Sequence, residues 1–237
     1  MRPKVICHIM GSADGRLLVE RWSAPFGDTS LTDTLGVYSR SGKSLNTDAW
    51  TFGKNTITDI FPEKLTSVGS VLSNDCPKVY KGKHGTGRTF IAIDPEADIK
   101  YSSDTLRGDH ILAVVGRNAS AAYLAFLQEK GISYLVADDI ANLSAVLEAI
   151  GREFGIRSIS LQGGGILNGA MLAAGVIDYL SLVIYPGLDG MGGIPSIFEY
   201  IGKVTDRPAN GQSLELISVE KEAHGVVWIR YRLHKEQ

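Results

Sequence analysis

The chain has little cysteine: among its 237 residues only Cys7 and Cys76 occur. Cys7 lies in an apolar run and Cys76 in a polar Asn-Asp-Cys-Pro segment, and neither has a second cysteine nearby. Structural zinc sites need closely spaced pairs of Cys or His ligands, and a disulfide framework needs several cysteines. The sequence therefore argues against both, predicts no metal site, and is typical of a reduced, cytoplasmic protein.

A surplus of charge of one sign is also missing, since 24 basic and 26 acidic residues give a net charge of −2 at pH 7. Such a chain has no general positive field, so nucleic acid is not an expected partner. No segment is long and apolar enough to span a bilayer, and the N-terminus lacks the apolar region and cleavage site of a signal peptide. We therefore expect no membrane association and no secretion.

Linkers rich in proline, glycine or charge are absent, as are internal repeats and low-complexity segments. The 44% of hydrophobic residues are enough to bury a substantial core in one large domain. The sequence therefore predicts a single domain over residues 1–237.

Apolar strand patterns alternate with helical patterns along most of the chain, which predicts a largely parallel sheet with right-handed crossovers. Strands are predicted at 5–10, 49–52, 89–93, 111–115, 132–136, 156–161 and 176–184, and helices at 119–129, 143–154 and 166–174. Residues 213–222 and 225–233 alternate apolar and polar side chains about a short turn, which indicates an antiparallel hairpin. Residues 19–44 have weak periodicity and predict a long loop containing a poor helix. The predicted fold class is α/β: a mixed, mostly parallel sheet flanked by helices, with a C-terminal antiparallel hairpin.

Three consecutive glycines, Gly163, Gly164 and Gly165, lie between an apolar strand and an apolar helix. Glycine lets the backbone approach a ligand closely, and the first amides of the helix offer unpaired donors at the positive end of its dipole. The pattern suits a phosphate, although it is neither a G-x-G-x-x-G nor a Walker A motif. A tight turn without a ligand explains the glycines equally well at this point.

Other strand ends carry polar groups where ligands bind in open α/β sheets. Lys54 adds a cation at one of them, although Asn55 or Thr56 could simply cap the helix that follows. These strand ends hold Ser12 and Asp14; Gly53, Lys54, Asn55 and Thr56; Asp94; and Gly116, Arg117 and Asn118.

The order of these pieces resembles the dihydrofolate reductase-like superfamily, most closely the reductase domain of bacterial riboflavin biosynthesis. The resemblance covers nearly the whole chain. It rests on Arg2-Pro3 leading a strand into Ser12-Ala13-Asp14-Gly15-Arg16, on Gly53-Lys54-Asn55-Thr56, on Gln162-Gly163-Gly164-Gly165 with Leu167-Asn168, and on Gly175-Val176-Ile177-Asp178 before a strand ending at Pro186.

This resemblance implies an NADPH-dependent reductase of a ribosylaminopyrimidine phosphate, a small heterocyclic substrate, and a homodimer. Lys54, Arg117 or both would neutralise the 2′-phosphate, and Asp94 would lie near the adenosine ribose. Ser12 and Asp14 would face nicotinamide and substrate, where Asp14 orients a polar substrate or assists proton delivery; alone, Asp14 would be read as an ordinary turn residue. The implied cofactor contacts are Gly53, Lys54, Asn55, Thr56, Asp94, Gly116, Arg117, Asn118, Gly163, Gly164, Gly165, Ile166, Leu167 and Asn168.

Departures from the family pattern keep the substrate open. Thr58, Asp59 and Ile60 stand where these reductases usually carry Arg-Asp-Asp, and Gln162 stands where they carry Glu. The zinc deaminase domain that is often fused to the reductase has no counterpart here. The alternatives are a reductase of another pterin-like heterocycle, a non-catalytic nucleotide-binding relative, and a phosphosugar-binding enzyme without redox chemistry.

Overall fold

The computed structural model describes residues 1–65, 77–83 and 87–236, so Cys76 lies outside the described residues. Within them no helix is long and apolar enough to cross a membrane. The strands are β1 Lys4–Ser12, β2 Ala49–Phe52, β3 Val79–Tyr80, β4 Thr89–Asp94, β5 Thr105–Leu106, β6 Asp109–Gly116, β7 Ser133–Ala137, β8 Ser158–Leu161, β9 Tyr179–Tyr185, β10 Gln212–Lys221 and β11 Val227–Lys235. The α-helices are α1 Leu31–Ser44, α2 Lys54–Ile60, α3 Ala121–Glu129, α4 Leu143–Phe154 and α5 Gly165–Ala173.

Contacts between residues divide the chain into two compact units. The first unit comprises Met1–Pro3 and Asp48–Ile159, and the second comprises Lys4–Thr47 and Ser160–Gln237. The prediction of one domain over the whole chain stays a prediction.

In the first unit β2, β4, β6 and β7 are adjacent in that order and pair in parallel. The short strands β3 and β5 add antiparallel pairs to β7 and β6. Helices begin and end at the expected signals: the Ser120 hydroxyl caps α3, the Asn142 side chain caps α4, and Gly155 ends α4 with a left-handed φ of 69°. The apolar face of α3 and the strands share one core that includes Phe90, Ile111 and Tyr134.

In the second unit the strand order is β10, β11, β9 and β1. β1 and β9 run parallel, and the predicted C-terminal hairpin adds two antiparallel strands beside β9. Met10, Val183 and Trp228 form the centre of a second buried cluster with Val37 of α1. The second unit therefore has the mixed parallel and antiparallel pairing that the sequence predicts.

Helix α1 is the main difference from the sequence-based expectation, because residues 31–44 form a regular helix of 14 residues and not a loop with a poor helix. A capping box starts it: the Ser30 hydroxyl accepts from the Asp33 amide, and the Asp33 carboxylate accepts from the Ser30 amide. Its buried face contains the small residues Ser41 and Gly42, and a Cβ at Gly42 would lie 2.9 Å from His8 Nε2. Because small and polar side chains fill that face, apolar periodicity could not indicate the helix.

Candidate functional site

The glycine triplet of the second unit forms the turn that the sequence predicts. Gly163 has a φ of +100°, which side-chain-bearing residues rarely adopt, and its peptide bond to Gly164 is cis. Gly164 is the N-cap of α5 and supplies no side-chain cap. The amides at the start of α5 therefore have neither an intrahelical acceptor nor a capping side chain.

Two glycines of α5 have a packing role that the sequence did not indicate. A Cβ at Gly165 would lie 2.3 Å from the Ser196 carbonyl oxygen, and a Cβ at Gly169 would lie 2.3 Å from that of Glu199. The Glu199 amide also donates to the Gly165 carbonyl at 2.9 Å. Gly165 and Gly169 are therefore needed because residues 196–200 pass directly over the helix.

Asn168 anchors the same segment. Its side chain is fully buried and donates through Nδ2 to the Ile197 carbonyl at 2.7 Å. The amide thus holds residues 196–199 against α5. Ile166, two positions earlier, is 47% exposed and leaves the first turn of the helix accessible.

At the end of β1, Ser12 and Asp14 form one hydrogen-bonded group. Ser12 Oγ donates to Asp14 Oδ1 at 2.6 Å and accepts from the Arg16 amide at 2.9 Å. The Asp14 carboxylate also accepts from the amides of Asp189 and Gly190, at 3.0 and 2.8 Å. These donors, first the Ser12 hydroxyl, hold the pKa of Asp14 well below its usual range, so the carboxylate is ionised near neutral pH.

The loop that follows β9 contains Asp189 and Gly190, and an ion pair that the sequence did not indicate also holds it. Arg21 donates through Nε and Nη2 to the two carboxylate oxygens of Asp189, at 2.9 and 3.2 Å. The Asp189 side chain is fully covered, and its hydrogen bond with Arg21 lowers its pKa. Asp14 therefore holds the loop after β9 through the backbone amides of Asp189 and Gly190, and Arg21 holds it through the side chain of Asp189.

In the first unit, Lys54 lies among three carboxylates. Its Nζ contacts Asp94 at 2.8 Å and Asp98 at 2.7 Å, and it also contacts Glu96. Burial acts to lower the pKa of Lys54, but the bonds to the three carboxylates outweigh burial and hold the pKa well above its usual value. Lys54 is therefore a cation whose charge is already compensated by its neighbours.

Asp94 has both carboxylate oxygens engaged inside the first unit. It is fully buried; Oδ1 accepts from Lys54, and Oδ2 accepts from the amides of Asp98 and Ile99 and from the Tyr123 hydroxyl. This carboxylate fixes the loop that follows β4. The structure therefore gives Asp94 an anchoring role, and its place near the adenosine ribose stays a prediction.

The Gly116-Arg117-Asn118 turn follows β6, as predicted. Asn118 Nδ2 donates to the Pro95 carbonyl at 3.0 Å, and a Cβ at Gly116 would lie 2.7 Å from Asn118 Oδ1. Arg117 Nη2 lies 2.9 Å from Asp138 Oδ1, and both side chains are at least 60% exposed. An exposed pair of this kind adds little to stability, so Arg117 can exchange its partner at little cost.

The sequence-predicted site residues fall into two groups, one in each unit. Gly53 is the N-cap of α2, Asn55 is exposed and Thr56 is half-buried. The first unit holds Gly53, Lys54, Asn55, Thr56, Asp94, Gly116, Arg117 and Asn118, and the second holds Ser12, Asp14, Gly163, Gly164, Gly165, Ile166, Leu167 and Asn168.

Several solved structures share the fold of this chain. A pyrimidine reductase-like protein from Corynebacterium diphtheriae has a TM-score of 0.64 at 19% identity, covering 99% of this chain and 93% of that one. The diaminohydroxyphosphoribosylaminopyrimidine deaminase and 5-amino-6-(5-phosphoribosylamino)uracil reductase of Thermotoga maritima has a TM-score of 0.58 at 14% identity. The match covers 98% of this chain and 56% of that one. The riboflavin biosynthesis reductase Rib7 of Saccharomyces cerevisiae gives 0.56 at 17% identity, with 98% and 90% covered.

These likenesses confirm the dihydrofolate reductase-like α/β fold class. No curated protein sequence matches the chain. The family model described as the RibD C-terminal domain matches residues 86–228, which is more than half of the chain. The chain belongs to the RibD C-terminal domain family, whose structural relatives include reductases of riboflavin biosynthesis.

Proposed function

We propose that the protein is an NADPH-dependent reductase of a ribosylaminopyrimidine phosphate. Membership of the RibD C-terminal domain family and the reductases among the solved relatives support a reductase of a small heterocycle. The observation that carries the cofactor proposal is the uncapped start of α5, which begins at the third of the three glycines. An anionic group is the ligand that such a helix start favours.

The backbone around Gly163 and Gly164 suits the pyrophosphate of a dinucleotide. No side chain caps the start of α5, and the amides of Gly165, Ile166 and Leu167 are the donors without an intrahelical acceptor. When bound, NADPH supplies the hydride. The protein then has to align the substrate, exclude water and provide for one proton.

Asp14 fits the orienting role better than proton delivery. A carboxylate whose pKa is well below its usual range holds no proton to give near neutral pH. It can accept a hydrogen bond from an N–H group of a pyrimidine, and the Ser12 hydroxyl and two loop amides keep it in one position. We assign to Asp14 and Ser12 the positioning of the substrate.

Arg117 is the better of the two predicted cations for the 2′-phosphate. Its exposed partner Asp138 also contacts Lys78, so that carboxylate keeps a cation if Arg117 turns to a phosphate. Lys54 would have to leave three carboxylates, and a phosphate beside it would face their negative charge. We therefore place phosphate recognition in the first unit on Arg117.

Cofactor binding can be measured directly with the purified protein by tryptophan fluorescence and calorimetry. We expect NADPH to quench the fluorescence and to bind more tightly than NADH. Ile166→Pro removes one amide donor in the first helical turn, where no intrahelical bond is lost, and should weaken NADPH about tenfold. Ile166→Ala is the matched control and should bind like the wild type. Binding of neither dinucleotide at millimolar concentration would contradict the proposal.

We further propose that the protein is a homodimer that uses the apolar face of its C-terminal hairpin. Leu214, Leu216 and Val219 are 53%, 55% and 57% exposed, and they pair across the strands with Leu233, Tyr231 and Ile229. The contiguous apolar face of a two-stranded edge suits a second copy of the same surface.

Light scattering after size exclusion tests the dimer. Leu216→Glu should give a monomer because it places a charge on the apolar face. Ser213→Glu adds the same charge to the opposite face of β10 and should leave the dimer intact. A monomeric wild type at micromolar concentration would refute the proposal.

A further inference from the structure

A cavity of about 200 Å³ lies in the second unit beside the C-terminal end of α1. Ile6, Tyr179 and Arg230 line it from three neighbouring strands, β1, β9 and β11. Leu45, the C-cap of α1, and Ile217 of β10 also line it. Neither the candidate site nor the proposed dimer surface uses these five side chains.

The cavity is distant from the residues proposed to position the substrate. Side chains alternate between the two faces of a strand, so Ile6 and His8 share one face of β1, and His8 stacks on Tyr38 of α1. At about 3.3 Å per residue, Ile6 lies about 20 Å from Ser12 along the same strand. The cavity is therefore separate from the candidate site and lies on the face of the sheet that packs against α1.

A β-bulge in the C-terminal hairpin supplies one side of the cavity. Leu216 pairs with Tyr231 and Ser218 pairs with Arg230, so Ile217 is an extra residue without a partner in β11. A bulge changes the direction of the side chain that it carries. Ile217 is 48% exposed and lines the cavity between polar neighbours. The bulge therefore gives the cavity an apolar side.

Two cations lie beside the Tyr179 ring. Lys4 lines the cavity, and its Nζ lies 5.5 Å from the centre of that ring. The guanidinium carbon of Arg232 lies 5.7 Å from the same centre, and its contact with Glu215 is long at 3.9 Å. Among the described residues no carboxylate pairs with Lys4. This end of the cavity therefore has an excess of positive charge, which favours an anionic group.

The other polar side chains of the cavity already have partners. Arg230 donates through Nη2 to Glu220 at 2.6 Å, so its charge is compensated. Ser181 Oγ lies 2.9 Å from His8 Nδ1 and is engaged in that hydrogen bond. Lys4 is therefore the charged group of the cavity that remains for a ligand.

We infer that the cavity binds a small amphipathic carboxylate, with its carboxylate at Lys4 and its apolar chain directed along Ile6 and Leu45 toward Ile217. The strands β1, β9, β11 and β10 are successive neighbours, so three spacings of about 4.8 Å separate the two ends by about 14 Å. A medium-chain fatty acid anion suits this length, the apolar lining and the single free cation. The inference does not depend on the proposed reductase activity.

Calorimetric titration of the full chain with octanoate, octylamine and acetate tests the inference. Octanoate should bind once per chain. Octylamine lacks the negative charge and acetate lacks the apolar chain, so each should bind at least tenfold more weakly. Lys4→Met removes the charge at similar side-chain length and should weaken octanoate about tenfold. Lys203→Met removes an exposed lysine outside the cavity and should bind octanoate like the wild type.

The apolar end of the cavity is tested by Ile217→Asp, which should also weaken octanoate about tenfold because it places a carboxylate beside the chain. Ile201→Asp is the matched control, since Ile201 is 72% exposed and lies outside the cavity. Circular dichroism and thermal unfolding establish folding, and Lys4→Met provides the test if Ile217→Asp does not fold.

Two results would overturn the inference. The first is octanoate that binds the wild type no better than octylamine does, or that binds folded Lys4→Met as tightly as the wild type. The second comes from light scattering: if Ile217→Asp converts a dimer to a monomer, a second copy of the chain covers the cavity and the carboxylate site fails.

Discussion

His8 should make the stability of the protein depend on pH. It is fully buried on β1, stacked on Tyr38 with 4.4 Å between ring centroids. Ser181 Oγ receives the indole N–H of Trp228 and lies 2.9 Å from His8 Nδ1, so the Ser181 hydroxyl donates to Nδ1. Nε2 then carries the proton and donates to the Tyr38 carbonyl at 3.1 Å. Every polar atom of the neutral ring is satisfied, and a second proton would meet the Ser181 hydroxyl.

Burial lowers the pKa of His8 from 6.5 to about 4 in the folded protein. Below pH 6.5 the unfolded chain binds more protons at this residue than the folded chain, so the free energy of unfolding decreases as the pH falls. The contribution is complete above pH 6.5 and is lost progressively down to about pH 4. The full effect is about 3 kcal/mol, of which about 2 kcal/mol is lost between pH 7.5 and pH 5.

Urea denaturation of the wild type and of His8→Gln, each at pH 7.5 and at pH 5, measures this effect. The variant should be less stable at pH 7.5, because it loses the ring stacking. The difference between the two proteins should then shrink by about 2 kcal/mol at pH 5, since the variant has no group to protonate at this position. A difference that is the same at both pH values would refute the reasoning.

Three further experiments test the packing of α5, the role of Asp14 and the choice of cation for the 2′-phosphate. Gly169→Ala should destabilise the protein by about 1–3 kcal/mol because its Cβ meets backbone, whereas Gly36→Ala in α1, where the nearest atom is 3.5 Å away, should be neutral or stabilising in thermal unfolding. Asp14→Asn should lower turnover without removing a limb of the pH–rate profile, since its pKa lies well below the usual range; a lost limb would make Asp14 a titrating catalyst. Arg117→Gln should weaken NADPH about tenfold and leave NADH unchanged, and Lys54→Met should not change the ratio of the two affinities; the reverse pattern would return the phosphate to Lys54.

The regular elements were predictable because their signals are local. β2 and α4 have the boundaries that the pattern predicts, since an apolar run or an amphipathic period with a cap specifies each of them. The strand–glycine–helix order at Gly163 was predictable for the same reason. Helix α1 was not, because its buried face carries small residues and its stability depends on packing against His8.

The partners of the candidate site residues could not be predicted, because they are distant in sequence. Lys54 follows a strand end and reads as a free cation, but Asp94, 40 residues further on, compensates it. Gly165 reads as a ligand-binding glycine, yet residues 196–199 supply the contact that requires it. Sequence patterns indicate which residue types lie at a strand end. Only the fold determines which of these residues already have hydrogen-bond, ion-pair or packing partners.

Hydride transfer from NADPH to a ribosylaminopyrimidine phosphate is the most direct test of the central claim. The protein would be incubated with this substrate and with NADPH deuterated at the transferred position, and the product would be analysed by mass spectrometry. We expect one deuterium in the product for each NADPH oxidised. A protein that binds both compounds but transfers no deuterium to this substrate or to any pterin-like heterocycle would contradict the assignment as a reductase.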